Sequence, residues 1–150
     1  MIVAFFGHRE IIHSEELSVK LETVIRNLIH DGADEFLLGG YGAFDVLAAK
    51  TVRKLKTDYP QIHSTLVLAY LNHDYDNDLY DETVYPPLEK VPMKYAITKR
   101  NEWIINKADI IVSYVEHGWG GAASARNFAK RKKKKIISIN DFELTKESNQ

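Results

Sequence analysis

Residues 109–131 read DIIVSYVEHGWGGAASARNFAKR and hold a strand, a glycine turn and a helix in that order. Residues 109–115 are mostly β-branched or aromatic and form a continuous apolar run, which is typical of a strand buried on both faces of a sheet. The helix after the glycines carries Ala125 and Ala129 on a face of small residues, which suits close packing on a sheet. The stretch therefore predicts one strand–helix unit of a parallel α/β sheet.

Four further apolar runs of the same character lie at residues 2–6, 35–38, 65–71 and 135–139. Stretches with helical spacing separate them, the first starting at Ser14 as N-cap and stopping at Gly32. Strands that alternate with helices over short connections require right-handed crossovers. We predict a single α/β domain over residues 1–150, with a Rossmann-like, doubly wound, mainly parallel five-stranded sheet and helices on both faces.

Residues 72–93 interrupt this alternation with several aspartates and three prolines. Loops of this length in compact domains are usually functional or disordered. We predict a long ordered loop or lid over the strand ends, followed by a helix from about residue 95 to residue 107. Residues from about 141 to 150 are expected to form a C-terminal tail.

Composition restricts the class of protein. The formal net charge is −1, with 20 Lys and Arg against 21 Asp and Glu, which disfavours a non-specific nucleic-acid binder. The basic run at 131–135 is interpreted as a solvated helix end. The absence of cysteine excludes disulfides and thiol catalysis, and neither the histidines nor the aspartates at 74–81 have metal-ligand spacing. No metal and no membrane segment are predicted, and the cytoplasm is the expected compartment.

Glycines follow three of the predicted strands. Glycine there lets a ligand approach the backbone N–H groups, and a helix N-terminus behind it favours a phosphate. Because the ligand crevice of a doubly wound sheet forms where the connections diverge, we expect the first and fourth turns to flank it. The first turn is Gly7-His8-Arg9, the second is Gly39-Gly40-Tyr41-Gly42 with Asp45 beyond it, and the fourth is Trp119-Gly120-Gly121 with Ser124 beyond it.

The side chains at these turns suggest separate roles in the site. Arg9 is expected to clamp a phosphate in bidentate fashion. Asp45 either favours its helix dipole or holds a ribose hydroxyl, and His8 either contacts the ligand or has a structural role. Tyr41 and Trp119 suit stacking on a base. The dinucleotide fingerprint and the Walker A loop are both absent.

The stretches FFGHRE (5–10), LLGGYGAFDVLAA (37–49) and KRNEWIINKADIIVSYVEHGWGGAASARNFA (99–129) resemble the SLOG superfamily, the group around the DprA and Lonely Guy proteins. They are most similar to its small stand-alone bacterial YpsA-like members. The resemblance spans about residues 2 to 140. It implies a Rossmann-like fold that binds nucleotides or nucleotide-derived ligands, often as a dimer.

Lonely Guy proteins cleave the N-glycosidic bond of a nucleoside monophosphate, and the resemblance matches their helix arginine to Arg100, beside Asn101. Their phosphate motif reads Pro-Gly-Gly-x-Gly-Thr-x-x-Glu. Here Gly120 and Gly121 match, and the other motif positions carry Trp119, Ala123, Ser124 and Asn127. An amide at the glutamate position cannot ionise, so the hydrolase chemistry lacks its acid unless Asp45 or Glu116 supplies a carboxylate.

These observations favour a domain that binds a phosphate-bearing nucleotide or ADP-ribose-like ligand, as a sensor or carrier. The alternative is a nucleoside 5′-monophosphate phosphoribohydrolase that uses Arg100. A second alternative is a DNA-associated DprA-like module. Beyond that ligand no cofactor is predicted, the expected partners are the small molecule and a second copy of the chain, and nucleic acid is disfavoured.

Overall fold

The computed structural model describes residues 1–71, 74–76 and 78–144. No helix in these ranges is both long and apolar enough to cross a bilayer. Six strands and four helices alternate along the described chain, with short 3-10 turns at Met93–Tyr95 and Ile139–Asp141. The elements are β1 (Ile2–Gly7), α1 (Ser14–His30), β2 (Glu35–Leu38), α2 (Ala43–Leu55), β3 (His63–Val67), β4 (Glu82–Val84), α3 (Ala96–Lys107), β5 (Ile110–Tyr114), α4 (Gly121–Arg131) and β6 (Lys135–Ser138).

The strands form one parallel sheet in the order β4-β3-β2-β1-β5-β6. The central strand β1 alternates its burial: Val3 and Phe5 pack with α1 and α2 on one face, and Ala4 and Phe6 pack with α3 and α4 on the other. The predicted doubly wound Rossmann-like fold is confirmed. Connections diverge between β1 and β5, which places the crevice of such folds at their carboxyl ends.

Helix α1 begins one residue earlier than its predicted cap implies. His13 precedes the helix in the left-handed conformation, and Ser14 is the first helical residue, without a side-chain capping bond. The predicted stop at Gly32 is confirmed: its φ is +106°, its N–H donates to Ile29, and the Ala33 N–H donates to Leu28. These two bonds form the reverse turn that commonly ends helices at glycine.

Strand β4 is a correction to the predicted loop at 72–93. The loop contains Glu82–Val84, which pairs in parallel with β3, so the sheet has six strands instead of five. The third predicted strand, 65–71, in fact spans His63–Val67. Asp81 anchors β4 because its Oδ2 accepts the Ser64 N–H at 2.8 Å and lies 2.9 Å from Lys56 Nζ.

The predicted C-terminal tail is ordered at its start. Asp141 belongs to a 3-10 turn, and Phe142 packs against the core formed with α1 and α2. The rest of the predicted tail, from residue 145 onward, lies outside the described residues, as do 72, 73 and 77 of the predicted lid.

Candidate functional site

A cavity of about 630 Å³ opens at the carboxyl ends of β1 and β5, the size of a small-molecule site. Its walls come from the turn after β1, the start of α2, one face of α3 and the loop between β5 and α4. No described residue of the 72–93 segment lines it. The predicted site residues that line it are Gly7, His8, Arg9, Tyr41, Asp45, Arg100, Asn101, Trp119, Gly120 and Gly121.

The turn after β1 is locked onto the start of α2. The Ala43 N–H donates to the Arg9 carbonyl at 2.7 Å. The Phe44 N–H donates to the His8 carbonyl at 3.4 Å. A side chain at Gly7 would overlap the Phe44 ring, so only glycine allows this approach. The first amides of α2 are therefore occupied by the protein itself.

In the predicted phosphate cradle at Gly39–Gly42, Tyr41 lines the cavity. Gly39, Gly40 and Gly42 do not line the cavity. The N–H groups of Gly39 and Tyr41 instead support the Asp45 carboxylate, and the φ of +89° at Gly42 lets the chain pass Arg9, whose Cα would lie 2.8 Å from an added Cβ. Gly42 thus serves the packing of the turn after β1 against α2, and Gly39 leaves room for Arg100, whose Cζ would lie 3.0 Å from an added Cβ.

Asp45 and Arg100 form the floor of the cavity. Asp45 is 8% exposed, and its Oδ1 has no hydrogen-bond partner within the described part of the chain. Burial raises the pKa of Asp45 to about 7, although the Arg100 charge and the amides of Tyr41 and Gly39 act in the opposite direction. Asp45 therefore lines the cavity with a carboxyl whose Oδ1 is shielded from solvent and lacks the hydrogen bond that buried polar groups usually have.

Arg100 is 2% exposed and is held mainly by backbone oxygens. Its Nη1 donates to the carbonyls of Gly39 at 2.8 Å and Val67 at 2.9 Å, and its Nε donates to Asn101 Oδ1 at 2.9 Å. Its guanidinium also lies 5.3 Å from the centre of the Tyr41 ring. Arg100 thus ties α3 to the ends of β2 and β3, and Asn101 orients it.

Three stacked rings form the opposite wall. His8 stacks on His117 with ring centres 4.1 Å apart, and His117 stacks on Trp119 at 3.9 Å. His8 Nε2 accepts the Glu116 N–H at 2.7 Å. Trp119 ends the column and is 72% exposed. The column presents one free aromatic face to solvent at the mouth of the cavity.

Helix α4 also starts at the cavity. Unlike the first amides of α2, its first amides are open. Gly120 precedes it with a φ of +94°, and Gly120, Gly121 and Ala122 line the cavity. The first N–H groups of any helix lack partners within the helix. The first backbone bond after this turn runs from the Ser124 N–H to the Gly120 carbonyl. Together with the helix dipole, these amides can bind an anion.

Several predicted positions lie elsewhere. Ser124 and Asn127 are exposed on α4 and do not line the cavity. The basic run ends α4 at the opposite edge of the sheet, where Lys134 Nζ lies 3.4 Å from the Asn106 carbonyl. Among the described residues no group of three His, Asp or Glu side chains is arranged to hold a metal ion.

Sequence reasoning missed part of the lining. His117 is the most important omission, because it joins His8 to Trp119 in the stack. Its place two residues before Trp119, in the same glycine loop, was the available signal. Glu116 was considered only as a source of a carboxylate; its Oε1 accepts the Tyr114 hydroxyl at 2.8 Å. The other unpredicted lining residues are Phe6, Glu10, Ile12, Ile97, Tyr114 and Ala122.

The sheet order and the crevice define a Rossmann-like α/β fold. A model of the YspA SLOG family matches residues 10–144, so this chain belongs to that family, as the resemblance predicted. No curated protein sequence matches the chain significantly.

Solved structures of similar fold include DNA processing protein A from Helicobacter pylori, described for its single-stranded DNA binding mode. It has a TM-score of 0.64 at 18% identity over 91% of this chain, and this chain spans 63% of that protein's length. TM1055, a structural genomics target, gives 0.61 at 18% identity, covering 90% and 71% of the two chains. The molybdenum cofactor carrier protein from Chlamydomonas reinhardtii gives 0.60 at 14% identity, covering 90% and 74%. Identities this low show a shared fold alone.

Proposed function

We propose that the crevice binds a phosphate-bearing nucleotide or ADP-ribose-like ligand. One observation carries this proposal: Asp45, a buried carboxyl with an unpartnered oxygen, and the open start of α4 line the same cavity. A phosphate alone would leave the carboxyl unsatisfied, and a neutral sugar would leave the amides unsatisfied. A sugar phosphate satisfies both.

The phosphate belongs at the start of α4. Gly120 and Gly121 leave room for an anion to approach the backbone there, and the dipole of α4 favours negative charge. Arg9 is exposed on the same cavity and supplies a mobile cation. The Nη1 of the buried Arg100 is engaged by two backbone carbonyls, which leaves its Nη2 as a second donor toward the ligand.

A hydroxyl of the ligand belongs at Asp45. Near neutral pH this carboxyl exists in both protonation states, and either can bond a hydroxyl, which donates as well as accepts. The free face of Trp119 offers a stacking surface for a base at the cavity mouth. The ribosyl group, the phosphate and the base of a nucleotide thus each have a counterpart.

Thermal shifts with AMP, ADP-ribose and inorganic phosphate test the proposal. A ligand at 100 times its dissociation constant adds about 2.7 kcal/mol of stability. Asp45→Ala should weaken AMP binding about tenfold or more, because a hydrogen bond to a charged group contributes about 1.5–3 kcal/mol. The control Asn127→Ala, exposed on α4 outside the cavity, should retain affinity. The absence of a shift with every phosphate compound would refute the proposal.

Hydrolysis of an N-glycosidic bond is a second candidate function, favoured by the raised pKa of Asp45. An acid–base group that titrates near pH 7 is suited to proton transfer, and Asp45 lies beside Arg100 in the cavity. Asp45 would replace the glutamate of the Lonely Guy motif. The matching position in this chain is Asn127, which lies outside the cavity. Chromatography of AMP incubated with the protein tests this: free adenine formed by the wild type and lost in Asp45→Asn supports hydrolysis.

Macromolecular partners remain predictions. Seven cations lie near the ends of α3 and α4, and none forms an ion pair within the described residues: Lys107, Lys130, Arg131, Lys132, Lys133, Lys134 and Lys135. A fold relative is described for single-stranded DNA binding. A gel shift with single- and double-stranded DNA tests contact with nucleic acid. Light scattering after size exclusion tests the homodimer.

A further inference from the structure

A hydrogen bond joins the two strand ends that form the cavity. The Glu116 N–H, just after β5, donates to Nε2 of His8, just after β1, at 2.7 Å. A ring nitrogen that accepts a hydrogen bond carries no proton, so His8 is neutral in this arrangement, with its proton on Nδ1. The bond therefore exists only with the uncharged imidazole.

The His8 ring also supports the loop that reaches α4. It stacks on His117 at 4.1 Å with 20° between the ring planes, and His117 stacks on Trp119 at 3.9 Å and 16°. His117 Nδ1 lies 2.8 Å from the Trp119 carbonyl oxygen, which can only accept, so Nδ1 donates. Residues 116–119 are thus held by a column that begins at His8 and ends next to Gly120.

Protonation of His8 would weaken its hydrogen bond to Glu116 and its stack with His117. It removes the acceptor for the Glu116 N–H and places a cation against the His117 ring, with Arg126 also nearby. Only the Glu116 carboxylate favours the charged form; the Tyr114 ring contacts His8 edge-on. Burial, and then His117, hold the pKa of His8 below its usual value.

We propose that His8 is a positioning residue whose neutral imidazole holds residues 116–119 and the start of α4 in the ligand-binding arrangement, so that the crevice binds at neutral pH and releases its ligand in mild acid. This inference rests on the proposed nucleotide site and adds its regulation. His8 orients the groups that contact the ligand through its bond to Glu116 and its stack with His117.

Binding of ADP-ribose at pH 7.5 and pH 5.0 tests the proposal, because its diphosphate diester does not ionise between these values. Apparent affinity falls in proportion to the competent fraction, so the wild type should bind about three- to tenfold more weakly at pH 5.0. In His8→Gln a neutral amide oxygen replaces the ring nitrogen, and the pH 7.5 to 5.0 ratio should lose that factor. His30→Gln, which removes a histidine at the end of α1, should retain the wild-type ratio.

Trp119 fluorescence follows the loop without any ligand. In a Trp103→Phe background only Trp119 emits, and its emission should change below pH 6.5 as the stack with His117 opens. His8→Gln in that background should remove this transition or shift its midpoint. Asp45 titrates in the same range in all variants, so the comparison with His8→Gln isolates His8.

The outcomes separate the two proposals. Binding at pH 7.5 with equal pH ratios in wild type and His8→Gln overturns the role of His8 and leaves the nucleotide site intact. An identical fluorescence titration in both proteins overturns it as well. Absence of ADP-ribose binding at both pH values overturns both proposals. A pH 7.5 to 5.0 affinity ratio that is about three- to tenfold larger in the wild type than in His8→Gln supports the inference.

Discussion

At the scale of a single residue, the burial of Asp45 is unfavourable for folding and useful for ligand binding. Its side chain is almost fully buried with one oxygen unpartnered, which costs folding free energy, and the same carboxyl lines the cavity where we propose that a ligand hydroxyl binds. Arg100 compensates its charge only in part, because the guanidinium also serves the carbonyls of Gly39 and Val67. Unsatisfied buried groups of this kind are common at binding sites, where a protein loses some folding stability in return for function.

Asp45→Asn should therefore stabilise the free protein in a pH-dependent way. The folded-state pKa of Asp45 is about 7 against 3.8 in a free chain, so its favourable contribution is full below pH 3.8 and disappears as the pH rises through 7. The amide has no such dependence. We expect the Tm of the variant to match the wild type at pH 4 and exceed it by about 5 °C or more at pH 8.

Calorimetric melts at four pH values between 4 and 8 measure this difference. A gap that is independent of pH would show that Asp45 is not the titrating group. At Arg100 the two backbone acceptors persist in the variant, so the guanidinium remains hydrogen-bonded.

Gly7→Ala should destabilise the protein because the added methyl overlaps the Phe44 ring. Overpacking of this kind costs about 1–3 kcal/mol. Gly118→Ala is the matched control: its methyl meets no atom within 4 Å. Urea unfolding should show a lower midpoint for Gly7→Ala and a change within about 0.5 kcal/mol for Gly118→Ala. Equal midpoints for the two variants would contradict the packing of β1 against α2.

Helices α2 and α4 show at the scale of elements how similar sequences diverge. Each follows a glycine with positive φ, Gly42 or Gly120, and the sequence predicted a phosphate cradle at both. The α2 amides bind the carbonyls of His8 and Arg9, which only the fold brings there. Local sequence cannot show which backbone oxygens reach a helix start, so it could not distinguish the occupied amides of α2 from the start of α4.

Ala122→Glu should raise stability and lower affinity. A carboxylate in the first turn of α4 interacts favourably with the dipole, by about 0.3–1 kcal/mol, and it repels a bound phosphate. Asn127→Glu is the matched control, since it adds the same charge to α4 on an exposed position outside the cavity. Titrations with AMP should show a loss of tenfold or more for Ala122→Glu and less than twofold for Asn127→Glu. Similar losses would place the phosphate elsewhere.

Asp81→Asn should loosen β4 without affecting the ligand. Burial acts the other way, but the Ser64 N–H and the Lys56 and Arg53 charges hold the pKa of Asp81 below its usual value. Its contribution is therefore present above pH 3.8 and lost as the pH falls further. We expect a loss of about 1–2 kcal/mol at pH 7 that shrinks towards pH 3, measured by urea unfolding. A parallel loss of AMP affinity would contradict the separation of β4 from the cavity.

The sequence predicted most of the whole molecule and a smaller part of its site. Continuous apolar runs revealed β1, β2, β5 and β6, and the glycine turns located the crevice. Strand β4 was missed because Glu82-Thr83-Val84 is short and mostly exposed, and its pairing depends on contacts of Asp81 with distant residues. The His8–His117 stack joins residues more than 100 positions apart, which no local pattern encodes.

The two edges of the sheet affect how copies of the protein behave at high concentration. An open edge is a template for intermolecular strand pairing, and here β4 offers three residues followed by Pro86 and Pro87, which donate no N–H. At the other edge β6 begins at Lys135, directly after a run of lysines. Two chains that paired in parallel at β6 would bring these lysines together, so their repulsion disfavours that pairing. High salt screens that repulsion, and association through β6 should then increase while the buried core is unaffected.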